Sequence, residues 1–378
     1  MSGNKYYDMS KMKKVDADYK LIFGERSNGK TYSVLLEAYE NWLKTGKVLA
    51  IIRRWDTDYV GPQGAQSCYN SLMCNGEQVN MIDKLSNGNY QGVLYMNGKY
   101  WLTRTNADGV LEKTDEYIAI AFSLSRAEHY KMGNFPDVGT ILFDEFVATG
   151  NKYLNNEYTY FVSVISTIVR QRDDITIYMC ANTMDIRGCL YFKELGLKRV
   201  RKQAQGTIDI YNFGQDDEYD KLVIACEYTE ATPEGKKKSN KYFKFNDKKN
   251  AMITQGAMEL PMMPHLPIKY APKDIIKDFY IEFNDEMIVG KIIRHEHTLL
   301  LFFHEKTTEL KYPDKDTIYS TKFDIRKNWH RNLFKENDKM SIIIRRLLAT
   351  DKVYFSTNDV GAIFLSYKQW CLTDKLGN

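Results

Sequence analysis

No run in this sequence approaches the roughly 18 uncharged apolar residues that a membrane-spanning helix needs, so no membrane partner is expected. Paired cysteines are missing as well. Cys68, Cys74, Cys180, Cys189, Cys226 and Cys371 lie far apart without a CxxC pair, which argues against a disulfide framework or a zinc site and predicts reduced, mostly buried thiols. There is no large charge excess: 53 basic against 49 acidic side chains leave a formal +4, too even to show nucleic-acid binding from the total. Any basic patch must be local. Lys198, Arg199, Arg201 and Lys202, then Lys236 to Lys238, Lys248 with Lys249, and Arg345 with Arg346 are the candidates, and each also reads as a solvated face. The opening MSGNKYYDMSKMKK has neither an apolar signal core nor an Arg-rich, acid-free amphipathic character, which predicts a cytoplasmic location. Internal repeats are absent.

What is present is a chain of 378 residues with 43% hydrophobic and 27% charged side chains, ordinary for a soluble globular protein and long enough to predict two domains. The first two hundred residues alternate short apolar runs with amphipathic ones, the rhythm of an α/β domain with a mostly parallel sheet. YKLIF (19–23), VLAIIRR (48–54), YIAIAFSL (117–124), VGTILFDEF (138–146) and DITIYMCAN (174–182) read as strands. Residues 31–44 and 157–172 have helical spacing, and residues 93–103 read as a hairpin turning at Asn97-Gly98. IDIYNF and KLVIACEYT finish the sheet at its edge. The polar, lysine-rich stretch after residue 230 and the prolines at 261, 264, 267 and 272 mark a linker. The expected division is therefore a domain over 1–230, a linker over 231–273 and a small mixed α+β domain over 274–378, with strands near 279, 287, 298 and 353 and a helix over 337–349.

Residues 24–31 read GERSNGKT, a complete G-x-x-x-x-G-K-[ST] phosphate loop after a strand and before a helix. Gly24 and Gly29 permit backbone angles that turn N–H groups inward, and the helix opening near Lys30 adds its positive end. Gly24, Glu25, Arg26, Ser27, Asn28, Gly29, Lys30, Thr31 and Tyr32 thus form the candidate nucleotide-binding set, with Lys30 reaching the β and γ phosphates of ATP and Thr31 supplying a hydroxyl to Mg²⁺. TILFDEF (140–146) delivers two adjacent carboxylates at the C-terminal end of a strand, where ligands bind in open α/β sheets. Asp144 suits the metal and Glu145 suits polarising the attacking water, although such a pair also serves as a helix N-cap. Asn182, at the end of the next strand, can sense the γ-phosphate or simply end that strand. Arg170 and Arg172 stand at a helix end, where a guanidinium can reach a neighbouring subunit or pair with Asp173 or Asp174.

The order and wording of YKLIFGERSNGKTY, AIIRRW, VGTILFDEF, TIVRQRDD and MCANT resemble the DNA encapsidation ATPases of φ29-like phages. These belong to the ring-forming P-loop translocases with an added strand and a catalytic glutamate, related to large terminases. An arginine inside the phosphate loop, here Arg26, is typical of viral packaging ATPases. The resemblance implies Lys30 and Thr31 as the Walker A pair, Asp144 and Glu145 as the Walker B aspartate and catalytic glutamate, and Arg170 as the arginine finger. It also implies that Lys131 contacts the neighbour's nucleotide, where it otherwise reads as plain surface, and that the segment containing Tyr7 packs on the adenine. Asp56 departs from the family, standing where a basic residue follows the paired arginines. For the C-terminal domain the resemblance implies an RNase H-like nuclease fold that has lost its metal-binding acids: Glu282, Asp285, Asp351 and Asp359 show no two-metal spacing. The partners implied are double-stranded DNA, further copies of the chain in a ring (a pentamer by analogy), a portal and a packaging RNA. The place of action is the host cytoplasm, transiently at the portal vertex of the procapsid. Another nucleic-acid ATPase, such as a helicase or replication initiator, and a non-hydrolysing nucleotide-gated scaffold are the competing readings.

Overall fold

A strand covered on both faces has no polar side, and the runs LIF, VLAII and TILF already show that character. The computed structural model describes residues 7–25, 28–60, 68–69, 72–74, 77–148, 152–183, 189–214, 221–230, 263–283, 286–322 and 324–374. The chain divides into two compact units, Met1–Glu259 and Leu260–Asn378. Of the expected linker, residues 231–262 lie outside the described residues.

The first unit runs through α1 (Ser10–Lys13), β1 (Tyr19–Gly24), α2 (Lys30–Thr45), β2 (Val48–Arg53), β3 (Leu72–Cys74), β4 (Glu77–Val79), α3 (Met81–Leu85), β5 (Gly92–Met96), β6 (Lys99–Thr105), β7 (Leu111–Ser123), α4 (Ala127–Tyr130), β8 (Val138–Asp144), α5 (Glu157–Val169), β9 (Thr176–Asn182), α6 (Leu190–Glu194), β10 (Thr207–Phe213) and β11 (Leu222–Tyr228). Nine strands form one sheet in the order β10-β11-β1-β9-β8-β2-β7-β6-β5. The six from β11 to β7 are mutually parallel, and β10, β6 and β5 extend the two edges antiparallel. Leu21 and Phe23 enter the core on one face of the sheet and Ile22 the core on the other. With both faces apolar, the only polar outlets of these strands are their ends. The order places β9 between β1 and β8, so the chain ends following three neighbouring strands meet on one rim.

Two elements differ from the sequence reading and one agrees with it. Strand β7 begins at Leu111, six residues early: LEKTDE is largely exposed, and what holds it is backbone pairing with β6 through Thr103↔Lys113 and Arg104↔Glu112. Helix α5 stops at Val169 because Arg170 takes φ +50°, which no helix continues. The hairpin turns at Asn97 and Gly98 as expected, both at positive φ.

The second unit comprises β12 (Ile275–Phe283), β13 (Glu286–His295), β14 (Thr298–Glu305), β15 (Ile318–Ser320), β16 (Trp329–His330), α7 (Lys339–Leu348), β17 (Val353–Phe355) and α8 (Asn358–Thr373). Its sheet runs β16-β15-β12-β13-β14-β17, with an antiparallel β12-β13-β14 meander and parallel strands added at both sides. The sequence reading placed no helix after residue 349, yet α8 packs Val360, Phe364, Tyr367 and Cys371 into this core. No described helix is long and apolar enough to cross a membrane.

Gly290 on β13 lies opposite Phe279 on β12, and a Cβ there would stand 2.1 Å from the Phe279 ring. The ring occupies the space that a side chain would need. Gly290→Ala is therefore expected to destabilise the second unit by about 1–3 kcal/mol, with partial recovery in Phe279→Leu, as read by urea unfolding of the full chain.

Candidate nucleotide site

Strand β1 delivers Gly24 to the rim, where a Cβ would come within 1.8 Å of the Thr229 hydroxyl. Asn28 donates to that same hydroxyl at 3.1 Å, so Thr229 sets both the start and the middle of the loop. Gly29 takes φ +98° and turns the chain into α2, whose N-terminus has no side-chain cap. Lys30 N–H donates to Asn28 Oδ1 at 3.3 Å, and the positive end of this 16-residue helix faces the loop, a setting that suits an anion. Lys30 is 6% exposed and folds back to donate to the Glu25 carbonyl oxygen (2.6 Å) and Asn28 Oδ1 (3.1 Å). Burial lowers its pKa to about 8, with Asp144 and Glu25 acting in the opposite direction. A buried ammonium bound to neutral oxygens lacks a full counter-charge, and an anion at the helix end would supply one. Thr183, just past β9, adds a buried hydroxyl that makes no hydrogen bond. These features fit a phosphate group. Arg26 and Ser27 lie outside the described residues.

Thr31 Oγ1 donates to Asp144 Oδ1 at 3.0 Å, which joins the phosphate loop to the acidic pair. The hydroxyl and carboxylate together are the hard oxygen donors that Mg²⁺ takes. Burial pushes the Asp144 carboxyl up, Arg53 pulls it down, and the net direction is upward. Arg53 donates to Asp144 Oδ2 at 2.8 Å and to Glu145 Oε2 at 3.3 Å. Glu145 sits in a left-handed turn, with φ +57° and its side chain 58% exposed. For a non-glycine residue that conformation costs on the order of 1–2 kcal/mol and must be imposed by neighbours. Arg54, pointing the other way from Arg53, donates to the carbonyl oxygens of Glu145 (3.2 Å) and Phe146 (2.9 Å).

The remaining expected residues fall in two places. Asn182 ends β9 in register with Gly24, on the same rim. Tyr7 donates its hydroxyl to Glu227 at 2.6 Å, while its backbone bonds Asn28 and Ser33. That makes it a latch behind the loop, and Tyr32 packs half-buried on the same side. Lys131 and Arg170 lie elsewhere, at the opposite end of the sheet. Arg170 donates to the Gly133 carbonyl oxygen at 2.6 Å, and the exposed Lys131, two residues earlier, pairs with Glu128 at 2.5 Å. Arg172, expected as a further finger candidate, is placed otherwise: it donates to the carbonyl oxygens of Phe135, Pro136, Val138 and Ile168. It is a staple inside its own chain. Val138 opens β8 and Asp144 closes it, so this edge is about 20 Å from the acidic pair at roughly 3.3 Å per residue.

Residues 110–205 match the family model described as podovirus DNA encapsidation protein (Gp16), a stretch that contains Lys131, Asp144, Glu145, Arg170 and Asn182. The chain is similar to the podovirus encapsidation proteins. DNA packaging proteins of Bacillus phages PZA and phi29 are each 22% identical to it over 194 residues, 49% of this chain and 49% of theirs. The chain thus matches about half the length of these curated relatives. Among solved structures, the phi-28 gp11 DNA packaging motor shares the fold at TM-score 0.52 and 17% identity, covering 100% of both chains. The bacteriophage phi-29 genome packaging motor assembly does so at TM-score 0.58 and 14% identity, covering 97% of this chain and 99% of that one.

In the second unit Glu282 accepts from Ser320 (2.9 Å) and Lys322 (2.7 Å), and Asp351 sits in a turn at φ +56°. Asp285 lies outside the described residues. Among the described residues, the group of three possible metal ligands is His330, Glu336 and Asp338, none of the four acids singled out by sequence.

Sequence reasoning gave no role of their own to Arg53, Arg54, Thr183 or Thr229. The signal for the first two was in plain view, a buried strand ending in two arginines, but only the β2–β8 pairing sets Arg53 beside Asp144. Removing Arg53 leaves neighbouring carboxylates uncompensated, so Arg53→Ala should cost about 2 kcal/mol near neutral pH. Asp144 would then titrate still higher in the folded chain than unfolded. That contribution to stability is lost as pH rises through the window above 3.8, its ordinary value. Urea unfolding at several pH values should show the deficit shrinking toward pH 4.

Proposed function

We propose that this chain hydrolyses ATP with Mg²⁺ and, as one subunit of a ring, couples hydrolysis to the movement of double-stranded DNA into a phage procapsid. The observation that carries the ATPase part is the 3.0 Å bond from Thr31 to Asp144, which unites two motifs that lie 113 residues apart. The match of residues 110–205 to the encapsidation family supports the packaging part. Lys30 and the uncapped start of α2 hold the β and γ phosphates, and Thr31 with Asp144 holds the metal. Mg²⁺ bound there screens charge on the phosphate oxygens. Glu145, exposed beside Asp144, orients the attacking water and draws its proton away. Arg53 partners both carboxylates. The second unit fits a docking role toward a portal or a packaging RNA, with no cutting function.

Lys30→Ala should abolish turnover and weaken ATP binding, because it removes a charge in contact with the phosphates. Glu145→Gln should keep ATP bound and slow hydrolysis, since only the orientation of water is lost. Measured affinity and turnover separate the two; equal loss of binding in both variants would remove Glu145 from this role.

Arg170 is the proposed finger, donated to a neighbouring copy. Arg170→Ala keeps its own loop and acids, and Glu145→Gln keeps its finger, so each alone should be nearly inactive. Mixed in equal amounts in rings shown to assemble, they should regain part of the activity, because a trans finger is worth roughly a thousandfold or more. Absence of any recovery would confine Arg170 to its own chain and pass the role to Lys131.

A further inference from the structure

Arg54 is 8% exposed, and its partner Glu157 is 1% exposed. Arg54 Nε contacts both Glu157 carboxylate oxygens, at 3.0 and 2.8 Å. Glu157 also accepts the Tyr191 hydroxyl and the Leu154 N–H, each at 2.8 Å, so the carboxylate is locked in place. The Tyr153 ring, 5.3 Å away, covers the guanidinium. With Nε committed to Glu157, the two remaining nitrogens reach the carbonyl oxygens of Glu145 and Phe146, the turn that follows Asp144.

A buried ion pair is by itself a weak source of stability, since well-packed apolar side chains can replace one at little loss. What apolar side chains cannot do is donate to two successive carbonyls. The guanidinium can, because it is a rigid fork with donors on three nitrogens, whereas an ammonium is a single flexible point. The turn it grips holds Glu145 at φ +57°, a conformation that must be imposed. Glu157 also opens α5, so the pair fastens this turn to the helix that ends at Val169, just before Arg170.

We propose that Arg54 is a positioning residue for hydrolysis: anchored by Glu157, it holds the Glu145–Phe146 turn so that the Glu145 carboxylate is presented at the nucleotide site. The proposal rests on the reading of Glu145 as the group that orients water. Its test uses the full chain and three readouts: single-turnover ATP hydrolysis, affinity for a fluorescent ATP analogue, and thermal melting. Arg54→Lys keeps the charge and one contact but cannot bridge both carbonyls. It should slow the chemical step about 10- to 100-fold, the scale of a misplaced catalytic group, and leave nucleotide affinity unchanged. Glu157→Gln should show the same split, and it carries the test should Arg54→Lys melt below the assay temperature.

Combining Arg54→Lys with Glu145→Gln should add no further loss, because both act on one step. Wild-type hydrolysis by folded Arg54→Lys would overturn the proposal. So would a fall in rate and affinity together, or additive losses in the double variant, since a merely structural bracket behaves in those ways. Wild-type turnover by Glu145→Gln alone would overturn the underlying reading of Glu145, a failure visible without touching Arg54.

Discussion

Two adjacent carboxylates at the end of a buried strand repel each other, and the rim of the first unit is organised around that repulsion. Strand alternation alone would send the Glu145 side chain to the face opposite Asp144, away from the rim. The left-handed turn at Glu145 sends its side chain outward, where it is 58% exposed, while Asp144 stays at 18%. Arg53 then spans the pair, and Thr31 satisfies the remaining side of Asp144. The acids come from the end of β8, Arg53 from the end of β2 and Thr31 from the first turn of α2 behind β1. The carboxylates can coexist only when β1, β8 and β2 end at the same level, so the sheet's parallel register is also the register of the site.

That dependence explains what could be read in advance. The phosphate loop and the acidic strand were legible because each is a local pattern: a glycine-rich turn between strand and helix, and an apolar run ending in acids. Strands β1, β2, β8 and β9 were legible for the same reason. Strand order was not, because nothing in VLAIIRRW says that its neighbour will be TILFDE, and so Arg53 and Arg54 drew no catalytic reading. Thr229 is a sharper case, since its hydroxyl excludes a Cβ at Gly24 from more than two hundred residues away. Polar strand ends such as LEKTDE were illegible because pairing, not burial, holds them. Helix α8 differs: Val360, Phe364, Tyr367 and Cys371 recur at helical spacing, and the pattern was available but unused.

The second unit is held by geometry more than by charge. Phe279 lies over Gly290 and packs against Phe303 and Tyr319, which ties four strands through one ring. Its polar cluster is explained by the same economy. Asp338 accepts the N–H groups of Met340 and Ser341 at the start of α7, and although burial pushes its carboxyl up, the bonds from Ser341 and Met340 hold it below its ordinary value. A carboxylate committed in that way is a helix cap. Its closeness to His330 and Glu336 follows from where the helix begins.

The distance between the two ends of β8 leads to the last step. A nucleotide held at the β1–β8 rim is about 20 Å from the edge where Arg170 and Lys131 sit, and a fully extended arginine cannot cover that span. Any contact between Arg170 and a phosphate must therefore be made with another copy, and the geometry of one chain already limits how it can take part in catalysis. Arg172 sharpens the point. It spends its donors on four carbonyls of its own chain, fixing the α5 terminus and the loop before β8, where the exposed Arg170 rests its guanidinium on the Gly133 carbonyl oxygen. At the other end of α5, Glu157 is clamped by Arg54 behind the Glu145 turn. One 13-residue helix is thereby anchored at both ends, to the turn bearing the acid and to the edge bearing the arginine.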